Sequence, residues 1–234
     1  MSKRHSILIV ADHASNFIPD EYNNLGLSKK LIETHIAYDI GVKQLALKLS
    51  KKLNAHLVMG DYSRLLIDLN RGIMDPTLVP SISDGVKIVK NYKLSRRDKK
   101  FRISKIYKNY NDKIYKIIKR EKINLIISLH SFNPYYKKKK RNIKFGILSN
   151  SDRRYSDIII EILSKKGYRV GDNQPYEGNL IGDTMHRHGL RNGILHTLIE
   201  IRNDLLKSSK NISDISNVLF KVIRSSKQKM RKYL

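Results

Sequence analysis

Residues 123–131 read INLIISLHS, a largely aliphatic run over Ile123–Leu129 that stops at His130 and Ser131. Such a run is far below the roughly 20 residues of a membrane helix and fits a strand buried on both faces. A doubly buried strand implies a parallel sheet with helices on either side. Working outward, Ser6–Asp12 (SILIVAD) is a second such strand, and it delivers Asp12 and His13 to its carboxyl edge. Ile143–Leu148 and Gly193–Ile201 are further strands, with shorter ones at His56–Met59, Leu65–Leu69 and Tyr168–Val170.

Helical spacing fills the gaps between them. Ser28 is placed to cap a helix carrying Leu31, Ile32, His35, Ile36 and Ile40. Val42 to Leu53 repeats the stripe at Val42, Leu45, Ala46, Leu49 and Leu53. Ser95 to Lys122 predicts one long amphipathic helix with Phe101, Ile106, Tyr110, Ile114 and Ile117 inward. Asp152 caps a helix to Lys166 that Gly167 stops, and Ser208 or Ser213 opens a basic C-terminal helix. Residues 16–26, 72–84 and 171–189 are loops. With no break in composition, residues 1–234 read as a single three-layer α/β domain, a mostly parallel mixed sheet covered by helices. Ligands bind such sheets beyond the carboxyl ends of the strands, where His13, His130 and Glu200 all fall.

Composition narrows the function. The 234 residues include no Cys, so there is no disulfide framework and no thiolate metal site. Met1–His5 is basic, but the apolar run after it is too short for a signal peptide, which predicts a cytoplasmic protein without a membrane partner. The net charge of +26 invites a nucleic-acid reading. However, Lys exceeds Arg, and Lys, Ile and Asn are abundant together, as codon drift in an AT-rich genome would spread them. The basic run Lys137–Arg141 lies between Pro134-Tyr135-Tyr136 and a strand and reads as a solvated loop. Nucleic acid is therefore expected only as a non-specific partner at low salt.

Two clusters carry chemistry. His13, Asp39, His130 and Glu200 supply what hydrolysis at a divalent metal such as Zn²⁺ requires: N and O ligands, an open position and a carboxylate base. Asp39 sits near an apolar helical stripe, where an unpaired carboxylate is costly to bury unless it meets a cation. In DYSRLLIDLNR, Arg64 and Arg71 offer planar forks suited to an anionic small molecule, and Arg202 and His188 add donors. Arg64 has a structural alternative, a pair with Asp61 or Asp68, and Glu200 has one with Arg202 or Arg191. Neither a GxSxG elbow, a P-loop, a GxGxxG nor an HExxH is present.

ADHASNFIP, HIAYDIG, YSRLLIDLNR, LHSFNP, GDNQPYEG, HRHG and LIEIRNDLL, in that order over about residues 6–206, resemble the N-formylglutamate amidohydrolase family. That family is similar to zinc carboxypeptidases and aspartoacylase-type deacylases, which implies their α/β fold. The resemblance implies His13 and His130 as metal ligands and Glu200 as base. It also implies Arg64 as oxyanion stabiliser and Asn70, Arg71 and Arg202 as carboxylate holders. The relatives carry HxxE in the first block, whereas His13 is followed here by Ala14-Ser15-Asn16, so Asp39 stands as the replacement carboxylate ligand. The implied reaction is hydrolysis of the N-acyl (formyl) amide of an acidic amino acid such as N-formylglutamate. Two other classes stay open on the sequence: an idle anion-binding descendant and a nucleic-acid-associated protein.

Overall fold

The computed structural model describes residues 6–230 and Tyr233; the basic stretch Met1–His5 lies outside them. Six strands form the main sheet: β1 Ile7–Ala11, β2 His56–Met59, β3 Leu125–Phe132, β4 Phe145–Leu148, β5 Val170–Asp172 and β6 Leu195–Arg202. Their order is β2-β1-β3-β6-β4-β5. All neighbours run parallel except β6 and β4, so the sheet is mixed and mostly parallel. The main helices are α1 Val42–Leu53, α2 Lys108–Glu121, α3 Arg154–Lys165 and α4 Ser209–Met230. Two short hairpins, Ile82–Ser83 with Val86–Lys87 and Tyr135–Tyr136 with Lys139–Lys140, stand apart from the sheet. No helix among the described residues is long and apolar enough to cross a membrane.

Strand alternation splits the interior in two. Ile7, Ile9, Ile127, Leu129, Ile199 and Ile201 pack with α1, α3 and α4 on one face. Leu8, Val10, Ile126, Leu148 and Leu198 pack on the other, with Ile114 and Ile118 of α2 and a group of buried loops. Towards the carboxyl ends this second face turns polar, and Asp12, Ser128, His130 and Glu200 are all buried there. Loops cover them together with Tyr110 of α2.

Three expectations are corrected. Leu65–Leu69 is not a strand, although Leu65, Leu66, Ile67 and Leu69 are buried. Its carbonyls find side-chain donors in place of a strand partner. Asn91 Nδ2 donates to Leu65, Arg102 Nη1 to Leu66, and Arg187 Nη2 to Leu69, at 2.7–2.9 Å. The Ser28-capped helix is a single turn, Lys29–Ile32, so Asp39 is not in a helix. The chain leaves it because the Asp39 N–H bonds the His13 carbonyl at 2.9 Å and draws residues 33–41 into turns. The long basic helix is broken by a π turn at Ile103–Tyr107 between Arg96–Arg102 and α2. That wider turn rotates the residues before it, burying Arg102 and leaving Phe101 51% exposed.

Candidate active site

The register of three central strands assembles the centre. Val10 lies beside Ser128, and Glu200 lies beside His130 on one side and Gly146 on the other. His13 follows β1, and Asp39 comes in from the turns before α1. Ligand atoms of His13, Asp39 and His130 all lie within 4.8 Å of one another, and all three residues are buried. The two imidazole rings meet edge-on, 4.9 Å between centroids.

Each ring has one nitrogen tied to a carboxylate on its far side. His13 Nε2 meets Asp68 Oδ1 at 2.8 Å, and His130 Nε2 meets Asp12 Oδ2 at 3.1 Å. The other nitrogens face Asp39: His130 Nδ1 at 2.8 Å from Oδ2, and His13 Nδ1 at 3.5 Å from Oδ1 without a hydrogen bond. Asp12 is itself held by Tyr110 Oη, Thr184 Oγ1 and Ser128 Oγ, which donate to it at 2.9, 2.7 and 3.3 Å. Burial pushes Asp12 and Asp39 up, but the paired histidines outweigh it and hold both well below the usual carboxylate range. Burial likewise opposes charge on His130, yet hydrogen bonds to Asp12 and Asp39 lift it well above the ordinary histidine value.

Glu200 differs from these acids. It is buried, its Oε2 has no hydrogen-bond partner, and burial raises its pKa to about 7 against the pull of His130, with the charge of Asp39 adding to the rise. Gly146 leaves room beside it: a Cβ there would lie 2.1 Å from the Gln174 carbonyl oxygen and 3.2 Å from the Glu200 Cβ.

The predicted anion-binding residues divide. A cavity of about 510 Å³ is lined by His13, Asp39, His130 and Glu200, and also by Arg64, Asn70 and Arg71. Arg64 Nη2 donates to Asp68 Oδ2 at 2.8 Å, and Nη1 lies 3.7 Å from Asp39. Asn70 Oδ1 accepts the Thr184 N–H at 3.1 Å, which leaves its Nδ2 for a ligand. Arg71 donates from Nε to Thr77 Oγ1 at 3.1 Å and from Nη1 to the Asn70 carbonyl at 3.1 Å. His188 and Arg202 do not line the cavity. His188 Nε2 is bound to Asn111 Oδ1 at 2.8 Å, on α2, because the π turn Met185–Gly189 points His186 to the cavity instead. Arg202 forks onto Asp204 and donates from Nη1 to the Arg141 carbonyl at 2.7 Å.

Sequence reasoning gave Asp12 no role and Asp68 only that of an ion-pair partner for Arg64, which the structure shows. Asp68 does stand four residues from Arg64, but nothing in the sequence places it against His13, 55 residues away. Arg141, read as part of a solvated basic loop, lines the cavity with Tyr136 and Tyr176.

Comparison with solved structures agrees with this architecture. The chain is 30% identical to gene product Atu2144 from Agrobacterium tumefaciens, with a TM-score of 0.92 over 97% of this chain and 92% of that one. It shares its fold with the N-formylglutamate amidohydrolase from Ralstonia eutropha JMP134, at 18% identity and a TM-score of 0.68 over 99% and 97% of the two chains. No curated protein matches the chain in sequence. A family model described as N-formylglutamate amidohydrolase covers residues 5–207, which takes in every residue of the centre just described, and the chain belongs to that family.

Proposed function

We propose that the protein is a metal-dependent amidohydrolase that cleaves the N-acyl (formyl) amide of an acidic amino acid such as N-formylglutamate. The observation that carries this reading is the meeting of His13, Asp39 and His130 beside a buried glutamate with a free oxygen. The residues fit a divalent metal such as Zn²⁺. The donor set is two imidazoles and a carboxylate, His13 Nδ1 is buried and unpartnered, and both outer nitrogens are oriented by carboxylates, as metal-binding histidines require. When bound, such a metal supplies a water acidic enough to ionise near neutral pH and a Lewis acid for the carbonyl.

The chain's own residues do the rest. Glu200 Oε2 takes the proton of the attacking water and returns it to the departing amine. The Arg64 guanidinium offsets the negative charge that develops on the amide oxygen. Asn70 Nδ2 and the remaining Arg71 nitrogen grip a substrate carboxylate. Family membership and the Ralstonia eutropha namesake support the formyl amide as the bond cleaved.

Metal content and formate release from N-formylglutamate test the proposal together. About one metal per chain, lost in His13→Ala and Asp39→Ala, is expected for a site of this kind. Glu200→Gln should keep the metal and the melting temperature and lose roughly 10²–10⁴-fold in turnover. Turnover that survives complete metal removal, or survives Glu200→Gln, overturns it.

A further inference from the structure

Three arginines line the cavity, and two of them are committed to protein acids or hydroxyls. Arg64 is on Asp68, and Arg71 is on Thr77 with Asp75 4.0 Å away. Arg141 is different. No carboxylate among the described residues lies within ion-pair distance of it, and its one side-chain hydrogen bond runs from Nη1 to the Asn133 carbonyl at 2.8 Å. Its guanidinium instead sits among the rings of Phe132, Tyr136 and Tyr176, at 5.6, 5.3 and 5.7 Å from their centroids.

Aromatic rings satisfy the faces of a guanidinium but put no acceptor in its plane, so Nε and Nη2 keep their hydrogen-bonding capacity. The position is also rigidly set. The Arg141 N–H bonds the Pro134 carbonyl at 2.7 Å, and its own carbonyl takes Arg202 Nη1 at 2.7 Å. Arg202, which the sequence nominated as an anion ligand, thus acts at one remove by holding the backbone of the arginine that faces the cavity.

We infer that Arg141 reads a second substrate carboxylate, the side-chain carboxylate of an N-acyl dicarboxylic amino acid, while Asn70 and Arg71 hold the first. The inference rests on the proposed reading for where the amide lies. A carboxylate presents two coplanar oxygens to the unused Nε and Nη2, whereas the isosteric side-chain amide presents one. Arg141 is then the residue that separates glutamate from glutamine as the leaving amino acid.

Calorimetric titration of N-formylglutamate and N-formylglutamine tests this, with every protein carrying Glu200→Gln so that ligand is not consumed. With Arg141 intact, N-formylglutamate should bind about tenfold tighter or more. Arg141→Met should bring the two ligands to within about twofold of each other, with N-formylglutamate losing clearly more affinity than N-formylglutamine, and Arg141→Lys should keep part of the preference. An equal loss for both ligands in Arg141→Met, an undiminished preference, or no binding of either ligand overturns the assignment. Formate release by the protein with Glu200 restored is a separate readout. Discrimination by Arg141 without turnover would sink the hydrolase reading alone, and turnover with a preference blind to Arg141 would sink this inference alone.

Discussion

Asp68 holds the two halves of the site in one carboxylate. Its Oδ1 accepts from the Asn70 N–H at 2.9 Å and meets His13 Nε2, while Oδ2 takes Arg64. Burial alone would favour its neutral form, but Arg64 and His13 outweigh that and hold its pKa well below the usual range. An anion there fixes which nitrogen of His13 faces inward and makes that nitrogen a better donor. Asp68→Asn keeps the shape and removes the charge, so metal affinity, measured by competition with a chelator, should fall about 10–100-fold. If affinity holds and only the melting temperature drops, Asp68 is a strut for Arg64. The Arg64 pair was legible in DYSRLLIDLNR, but the contact with His13 was not, because that histidine follows β1, 55 residues away.

Gly146 shows how the strands themselves impose the geometry. It faces Glu200 across the one antiparallel pairing of the sheet, and the loop after β5 closes over it. Gly146→Ala must displace the Gln174 backbone, which overpacking of this kind costs about 1–3 kcal/mol. The melting temperature should fall, and turnover per folded molecule should fall with it because the same loop carries Tyr176. Full turnover in a destabilised Gly146→Ala would show that the loop plays no part in the site. At this scale the sequence was informative wherever burial and period agreed. The bounds of α1 and β2 match their apolar patterns, and the two His-ending strands carry their histidines to one edge. It misled where a buried apolar run was satisfied without a strand partner, as at Leu65–Leu69. It also misled where a π turn changed the inward face, as at Phe101 and Arg102. In both cases the deciding hydrogen bonds come from residues far along the chain.

Over the whole molecule, buried titratable groups set how stability responds to acid. Burial, helped by the charge of Arg187, lowers His188 from 6.5 to about 4. It stays neutral in the fold while the unfolded chain takes up a proton below about pH 6.5, so its contribution is complete above that pH. It is lost as the pH falls towards 4, by roughly 3 kcal/mol in all. Asp183, raised to about 6 by burial, acts in the opposite sense over part of that window, so the wild-type curve alone does not isolate His188. His188→Gln can still donate to Asn111 without titrating. Between pH 6 and 4.5 the wild type should lose about 1.1 kcal/mol per pH unit more than this variant, measured by denaturant unfolding. Parallel curves would mean His188 already carries a proton in the fold. The pairing of Glu200 with His130 on adjacent central strands has a consequence of another kind. The residues proposed as base and ligand are register partners in the β3–β6 pair, so a shift of either strand moves both. Arg71 and Arg141 hang on irregular segments with no such tether between them. If these two arginines read the substrate as proposed, descendants of this chain can change which molecule they accept long before they change what they do to it.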